Sequence, residues 1–296
     1  MNIALIGYGI MGKHHYRVLK SMPEITLIAV CDPIITETLE ENTYCDIDDL
    51  LAKETIDAAI ISVPTYLHKE IAVKLIKRNI HILIEKPLAS NPSQGTAIKE
   101  AMSSHNAKVI VGHIERFNPV IVQLKKEIQG KDIFSINITR VGPFPPRIAD
   151  VGVLTDLAVH DIDLIRHLTQ KRIEKVNIFK SITNHSRCED NAIISLKLEN
   201  DIIATITTNW LTPFKKRMVE VATSEAYYEA NLMTQELLEY SSFQLNNSYV
   251  VRSCPVIKGE PLVKELQAFI NYIKYGQVSD LATVDDGLCT LEVINE

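Results

Sequence analysis

No apolar stretch in the chain approaches the roughly 18–20 residues that a membrane-spanning helix needs, so a bilayer is not an expected partner. No two cysteines form a C-x-x-C pair. The five of them, at positions 31, 45, 188, 254 and 289, are odd in number and far apart. That pattern suits neither a disulfide framework nor a zinc site, and it predicts a reducing, cytoplasmic setting without a bound metal. Excess positive charge is missing too. With 31 basic against 37 acidic residues the formal net charge is −6, which argues against nucleic acid or an anionic membrane as the main partner. The first residues run straight into an apolar segment with no basic n-region or cleavage site, so no secretory signal is expected. Internal repeats and low-complexity tracts are also absent. What is present is an ordinary globular composition, 46% hydrophobic and 23% charged over 296 residues. That length allows two domains with separate cores.

Through the first third, apolar runs alternate with amphipathic ones. Strands are expected at 2–6, 25–31, 57–63, 80–84 and 107–112, and helices near 13–21, 66–79 and 91–105. The acidic link 33–56 has room for a helix of one or two turns. Such alternation predicts β-α units and a parallel sheet. After Arg116-Phe117-Asn118-Pro119 the pattern changes. Strand-like runs follow at 132–141, 174–183, 191–199 and 201–210, and again from about 217 to 251, with helices near 155–170 and 261–275. Glu199-Asn200-Asp201 reads as a hairpin turn, and consecutive strands imply a mostly antiparallel sheet. In the run 202–210, Ile202, Ala204, Ile206 and Trp210 share one face and Ile203, Thr205, Thr207 and Asn209 the other. The second face is either partly solvated or paired with another subunit. The predicted class is therefore α/β: a Rossmann dinucleotide-binding domain over 1–118, then an α+β domain over 119–296 with a large, mostly antiparallel sheet for substrate binding and oligomerisation.

Directly after the run Ile3-Ala4-Leu5-Ile6 stands Gly7-Tyr8-Gly9-Ile10-Met11-Gly12. Gly7 would permit the tight turn, Gly9 the close approach of a pyrophosphate, and Gly12 the packing of helix on strand. The helix opening near Gly12 would offer free N–H groups and a positive dipole end to phosphates. Asp32 ends the next apolar run, 20 residues beyond Gly12. An acid there accepts the adenosine ribose hydroxyls and repels a 2′-phosphate, which predicts NAD rather than NADP.

Glu85-Lys86-Pro87 closes the run His81-Ile82-Leu83-Ile84. A lysine at the carboxyl end of a parallel strand enters the ligand crevice of such a sheet, where an amine can polarise a carbonyl or alcohol oxygen during hydride transfer. On a regular helix over 155–170, Asp156, His160, Asp163 and His167 would fall in a stripe roughly 60° wide. The rest of the circumference is largely apolar, so the stripe is expected to face a polar cleft. Asp156 and His160, at i and i+4, can reach each other. A carboxylate beside an imidazole favours the cation, which suits a general base that accepts an alcohol proton. Asp163 and His167 read better as structural. His14 or His15 is either near the nicotinamide half or partly exposed, Thr65 is either a cofactor contact or a helix N-cap, and His113 has no assignment. In the proline-stiffened loop from Arg140 to Arg147, two arginines could grip a diphosphate in bidentate fashion; for this loop and for a second basic cluster, Lys215-Lys216-Arg217, a solvated loop is the usual explanation.

In their order along the chain, Gly7-x-Gly9-x-x-Gly12, Glu85-Lys86-Pro87, Arg116-Phe117-Asn118-Pro119 and Asp156-x-x-x-His160 resemble the glucose–fructose oxidoreductase/inositol dehydrogenase (Gfo/Idh/MocA) family. The resemblance extends to Glu260-Pro261-Leu262-x-x-Glu265-Leu266 and so covers essentially the whole chain. It implies catalytic roles for Lys86, Asp156 and His160. Cofactor contacts would come from Gly7, Gly9, Ile10, Met11, Gly12 and Asp32, then from Pro64, Thr65, His68, Glu85 and Lys86. Residues matching Glu115, Arg116 and Asn118 lie near the cofactor and domain hinge in that family. The last helix-like segment, Asp285 to Glu296, is shorter than the family's usual terminal helix, which predicts a truncated end. Together with Gly112 to Pro119, the proline loop resembles the short members that oxidise the 3-hydroxyl of UDP-N-acetylglucosamine. Lys86, Arg147, Asp156 and His160 would then hold a sugar or nucleotide-sugar substrate in a homo-oligomer, a dimer or tetramer. The alternatives are a dehydrogenase of a free sugar or inositol and a non-catalytic dinucleotide-sensing regulator of the same fold.

Overall fold

The computed structural model describes every residue except 146–150, 184–186, 242–247 and 279. Its chain divides into two compact units, Met1–His113 with Leu262–Glu292, and Ile114–Pro261 with Val293–Glu296.

The first unit is built on β1 (Asn2–Ile6), β2 (Thr26–Cys31), β3 (Asn42–Tyr44), β4 (Ala58–Ile61), β5 (His81–Glu85) and β6 (Val109–Gly112). All pair in parallel, in the order β3-β2-β1-β4-β5-β6, which is the order of a Rossmann sheet. The inner strands bury nearly every residue, as expected of a parallel sheet covered on both faces. Between them run α1 (Ile10–Lys20), α2 (Ile47–Lys53), α3 (Thr65–Ile76) and α4 (Pro92–Ser103). Asp46 caps α2 by accepting from the N–H groups of Asp48 and Asp49, and Asn91 caps α4. The link 33–56 thus holds β3 as well as the expected short helix. β3 escapes sequence reading because it is a three-residue polar edge strand with no buried face.

The two last helices, α7 (Pro261–Tyr275) and α8 (Val284–Ile294), fall largely within the first unit, whereas a domain of 119–296 was expected to contain them. Lys108 Nζ donates to the carbonyls of Tyr272 and Ile273, at 2.6 and 3.0 Å. The Val111 N–H donates to the Ala282 carbonyl at 2.9 Å, so the segment before α8 extends the β6 edge. Gly287 lies so close to Val111 and Leu88 that a Cβ would meet them at 2.9 and 3.0 Å.

The second unit carries β7 (Ile133–Pro143), β8 (Ile173–Ser181), β9 (Asn191–Leu198), β10 (Ile203–Asn209), β11 (Leu211–Thr223), β12 (Ala226–Asn231), β13 (Glu236–Ser241) and β14 (Val250–Cys254). They form one sheet in the order β14-β13-β12-β11-β7-β10-β9-β8. Every pairing is antiparallel except β7 with β10. Asn200, with φ 63°, turns the chain between β9 and β10 as the hairpin reading expects. Ala204, Ile206 and Trp210 are buried, while Ile203 opposite them is exposed. The buried face packs on α5 (Pro119–Glu127), capped by Asn118 with Pro119 at its start, and on α6 (Val159–Thr169). One departure matters for the site. Residues Leu154–Ala158 form a π-helical turn before α6, so a single α-helical phase over 155–170 does not hold. Such turns often occur where a functional side chain is re-aimed.

Candidate active site

Residues 7–12 link β1 to α1. Gly7 has φ +98°, and a Cβ there would sit 2.4 Å from the Ser62 carbonyl oxygen. At Gly12 a Cβ would meet the Gly7 carbonyl oxygen at 2.2 Å, so only glycine allows this crossing of loop and helix. Around Gly9 the space is open, with nothing within 4 Å of a Cβ position. Helix α1 starts at Ile10, slightly earlier than expected, and no side chain caps it. Its first N–H groups, among them those of Met11 and Gly12, can therefore serve an anion. Asp32 follows β2 and fastens the loop: Oδ2 accepts from the Tyr8 N–H at 2.7 Å and Oδ1 from the Ile34 N–H at 2.8 Å. Each carboxylate oxygen keeps a further lone pair for a ribose hydroxyl. The donor set and the open side of Gly9 fit the diphosphate and ribose of a dinucleotide. Replacing Asp32 by serine is expected to reduce the ratio of kcat/KM with NAD to that with NADP by about tenfold or more, the worth of one charge-assisted hydrogen bond. Steady-state kinetics with both cofactors checks this, and an unchanged ratio would remove Asp32 from cofactor selection.

Lys86 is half-buried just beyond β5, and its bond to the buried Pro87 is cis. Two histidines brace this turn from inside. His15 Nε2 lies 2.7 Å from Glu85 Oε1, with both side chains buried. Glu85 Oε2 also accepts from the Lys86 N–H at 3.3 Å. Burial alone would raise the Glu85 carboxyl, but the hydrogen bond and charge of His15, with Lys86, hold it below the usual range. His68 places Nδ1 2.9 Å from the Pro87 carbonyl oxygen and Nε2 3.0 Å from that of Val63. Burial pushes its pKa down against those two contacts. Glu85 and His68 therefore turn inward and hold the backbone of Lys86, where the sequence suggested that they line the cofactor. Sequence position gave no sign of this burial. His15 is likewise fully enclosed, while His14 is exposed. Helix α3 takes Pro64 as its N-cap residue with Thr65 inside it, so Thr65 is not the cap.

In the second unit the π-helical turn is tied down by Glu189. Its carbonyl accepts from the Val153 N–H at 2.9 Å and its carboxylate from the Leu154 N–H at 3.2 Å. Asp156 in that turn and His160 in α6 are both half-buried. The residues flanking His160 in α6 are locked. Arg116, from the 3₁₀ turn Ile114–Phe117, donates Nε and Nη2 to the two oxygens of Asp163 at 2.8 and 2.6 Å. Arg140, in β7, donates Nε to both oxygens of Asp161 at 2.8 and 3.0 Å and Nη1 to Glu115 Oε1 at 2.9 Å. All these side chains are buried. Burial would raise Glu115, but the charge and hydrogen bond of Arg140, with Arg217 and Asn118, hold it below the usual range. Asp161 is pushed up to about 6 by burial, against the opposing charge of Arg140.

The stripe does not face one cleft: Asp163 and His167 are buried, as their structural reading expects, and His167 Nε2 lies 3.2 Å from Lys125 Nζ. Arg140 is not placed to grip a diphosphate, because its buried guanidinium is committed to Asp161 of α6 and to Glu115. Asp161 was not singled out at all, and only its pairing with Arg140, 21 residues away, reveals it. Arg147, the other proposed grip, lies outside the described residues.

A Rossmann sheet with an uncapped glycine turn and an acid after its second strand defines a dinucleotide-binding protein. Comparison with known proteins agrees: residues 1–113 match the oxidoreductase family with an NAD-binding Rossmann fold, and residues 132–229 match the GFO/IDH/MocA C-terminal domain. The chain belongs to the GFO/IDH/MocA family. It is 24% identical over 288 residues to the UDP-N-acetylglucosamine 3-dehydrogenase of Acidithiobacillus ferrooxidans, spanning 92% of this chain and 88% of that protein. It is 25% identical over 316 residues to the NAD-dependent scyllo-inositol 2-dehydrogenase of Bacillus subtilis, spanning 98% and 91%. Solved structures share the fold, among them the following two. The Acidithiobacillus ferrooxidans enzyme has a TM-score of 0.88 at 22% identity, covering 100% of this chain and 95% of that one. Levoglucosan dehydrogenase, in complex with NADH and levoglucosan, has a TM-score of 0.89 at 21% identity with the same coverage. The chain is thus an NAD-binding oxidoreductase of a family of sugar and inositol dehydrogenases. Among the described residues no helix is long and apolar enough to cross a membrane.

Proposed function

We propose that the protein oxidises the 3-hydroxyl of a UDP-linked N-acetylhexosamine to the 3-keto sugar. The observation that carries this reading is the near end-to-end match to the Acidithiobacillus ferrooxidans enzyme. Bound at the glycine turn, NAD+ would accept the hydride, with its electron pair, from the carbon being oxidised. Lys86 would donate a hydrogen bond to the reacting oxygen as alkoxide character develops, on a backbone fixed by Glu85 and His68. His160 would take the hydroxyl proton, with Asp156 stabilising the resulting imidazolium. Of the expected cofactor residues, Gly7, Gly9, Ile10, Met11, Gly12, Asp32, Pro64 and Thr65 keep a direct role in this reading. The exposed apolar residues Phe179, Ile193 and Ile203 on the sheet support a homo-oligomer, and the widely spaced, odd-numbered cysteines support a cytoplasmic location.

The test is NADH formation, followed at 340 nm, with UDP-N-acetylglucosamine, free N-acetylglucosamine and inositols as substrates. Turnover of the nucleotide sugar with poor use of the free sugar is the expected result. Equal or better turnover of a free sugar or inositol would overturn it. That second reading, a free-polyol dehydrogenase, is favoured by the commitment of Arg140 to Asp161 and Glu115.

A further inference from the structure

With Arg140 committed, a nucleotide sugar would need another cation for its diphosphate. The antiparallel pairing of β7 and β11 sets Arg217 directly opposite Arg140, so both side chains leave the same face of the sheet. The two guanidinium groups share one anion: Glu115 Oε1 accepts from Arg140 Nη1 at 2.9 Å and from Arg217 Nη1 at only 3.4 Å. Among the described residues this long contact is the one hydrogen bond of the Arg217 guanidinium. An arginine has five N–H donors, so most of its capacity is unspent. The side chain is 39% exposed, whereas that of Arg140 is enclosed.

Burial and the neighbouring Arg140 charge hold the Arg217 guanidinium below its ordinary range, while the carboxylates of Glu115, Asp161 and Asp156 oppose that shift. Arg217 is thus within electrostatic reach of the turn that carries Asp156, and a further anion beside it would relieve its repulsion with Arg140. A register shift between Leu211 and Lys216 pushes residues 212–215 out of the ladder. It lays exposed Lys215 over Gly142, with its Cγ 3.4 Å from where a Gly142 Cβ would stand. Gly142 and Arg140 are two apart in β7 and so point to one face. Lys215 therefore joins Arg217 there, whereas Lys216, opposite Val141, points to the other face.

We propose that Arg217 and Lys215 form the subsite for the substrate's diphosphate, near the turn that carries Asp156. The assignment rests on the nucleotide-sugar reading above. The planar fork of Arg217 would hold two phosphate oxygens, and Lys215 would add a point charge from the bulge. Such contacts act on binding of the remote diphosphate and hence on the orientation of the sugar.

Calorimetric titration of UDP into the full chain saturated with NADH tests this in the wild type and in Arg217→Met, Lys215→Met and Lys216→Met. Loss of charge-assisted hydrogen bonds predicts about tenfold or greater weakening for Arg217→Met. A smaller loss is expected for Lys215→Met, whose exposed side chain makes misfolding no concern, and none for Lys216→Met. The KM for UDP-N-acetylglucosamine should rise in parallel. If the wild type oxidises the nucleotide sugar but the Arg217 and Lys215 variants bind UDP unchanged, the subsite is wrong and the substrate reading stands. Equal weakening by all three variants would reduce the effect to general attraction and overturn the subsite. If the wild type neither binds UDP nor oxidises the nucleotide sugar, both fall.

Discussion

Replacing His160 by alanine is expected to lower turnover by about 10²–10⁴-fold, the usual worth of a general base, without weakening NAD. His160 belongs to the second unit, whereas the glycine turn and Asp32 belong to the first, so a loss of chemistry can be separated from a loss of cofactor. Helix α6 is held by the Arg116–Asp163 and Arg140–Asp161 contacts, and removal of the imidazole leaves these intact. Lys86→Ala should fall in the same range, because Glu85 and His68 hold the backbone of the turn around it. The measurements are single-turnover NADH formation and titration of NADH binding by fluorescence. Wild-type turnover in both variants on the true substrate would dismiss the assigned mechanism. Weakened NADH binding with an unchanged chemical step would move these residues from chemistry to cofactor affinity.

The parts of this site that were legible in the sequence are those set by local chain geometry. The glycine spacing, Asp32 and the β1–α1 crossing depend on neighbours within a short stretch, and the clashes at Gly7 and Gly12 show why no other residue serves. Strands buried on both faces, such as β1, β4 and β5, announce themselves as unbroken apolar runs. A polar edge strand such as β3 has no such signal. The attachment of α7 and α8 to the first unit was equally hidden. It depends on contacts such as that of Lys108 with Tyr272, 164 residues apart, and adjacency in sequence pointed the other way.

Charged residues were the hardest to read. An ionisable group on an apolar helix suggests a polar cleft, but a buried partner from another element satisfies it equally well. Asp163 and Asp161 are of the second kind, and their partners lie 47 and 21 residues away. The π-helical turn adds to the difficulty, because it changes the phase between Asp156 and α6. The same reasoning separated the basic residues wrongly. Arg140 was expected to meet ligand and is enclosed, while the neighbouring Arg217, whose cluster reads most simply as a solvated loop, stands opposite it on the same sheet face and is partly exposed.

Asp163→Ala is expected to destabilise the protein by about 3–5 kcal/mol, because it leaves a buried charge without its partner. Arg116 and Asp163 are 4% and 1% exposed and meet through two hydrogen bonds of 2.8 and 2.6 Å. Without the carboxylate, the Arg116 guanidinium must either remain enclosed with that ion pair lost or drag the Ile114–Phe117 turn towards water. Either outcome costs folding free energy, and the second also loosens α6 and the His160 that it carries. The exposed Lys197–Asp201 pair is the control: Asp201→Ala should cost at most about 1 kcal/mol, since surface ion pairs contribute little and only the left-handed backbone at Asp201, φ 58°, disfavours alanine. Replacing both buried partners, Arg116→Met with Asp163→Leu, should recover much of the loss, because the desolvation penalty disappears with the charges. Urea denaturation followed by circular dichroism measures all three variants. A loss for Asp163→Ala no greater than that for Asp201→Ala would mean that the pair is not a stability element. A double variant that is stable but catalytically slow would instead show that its main role is to aim His160.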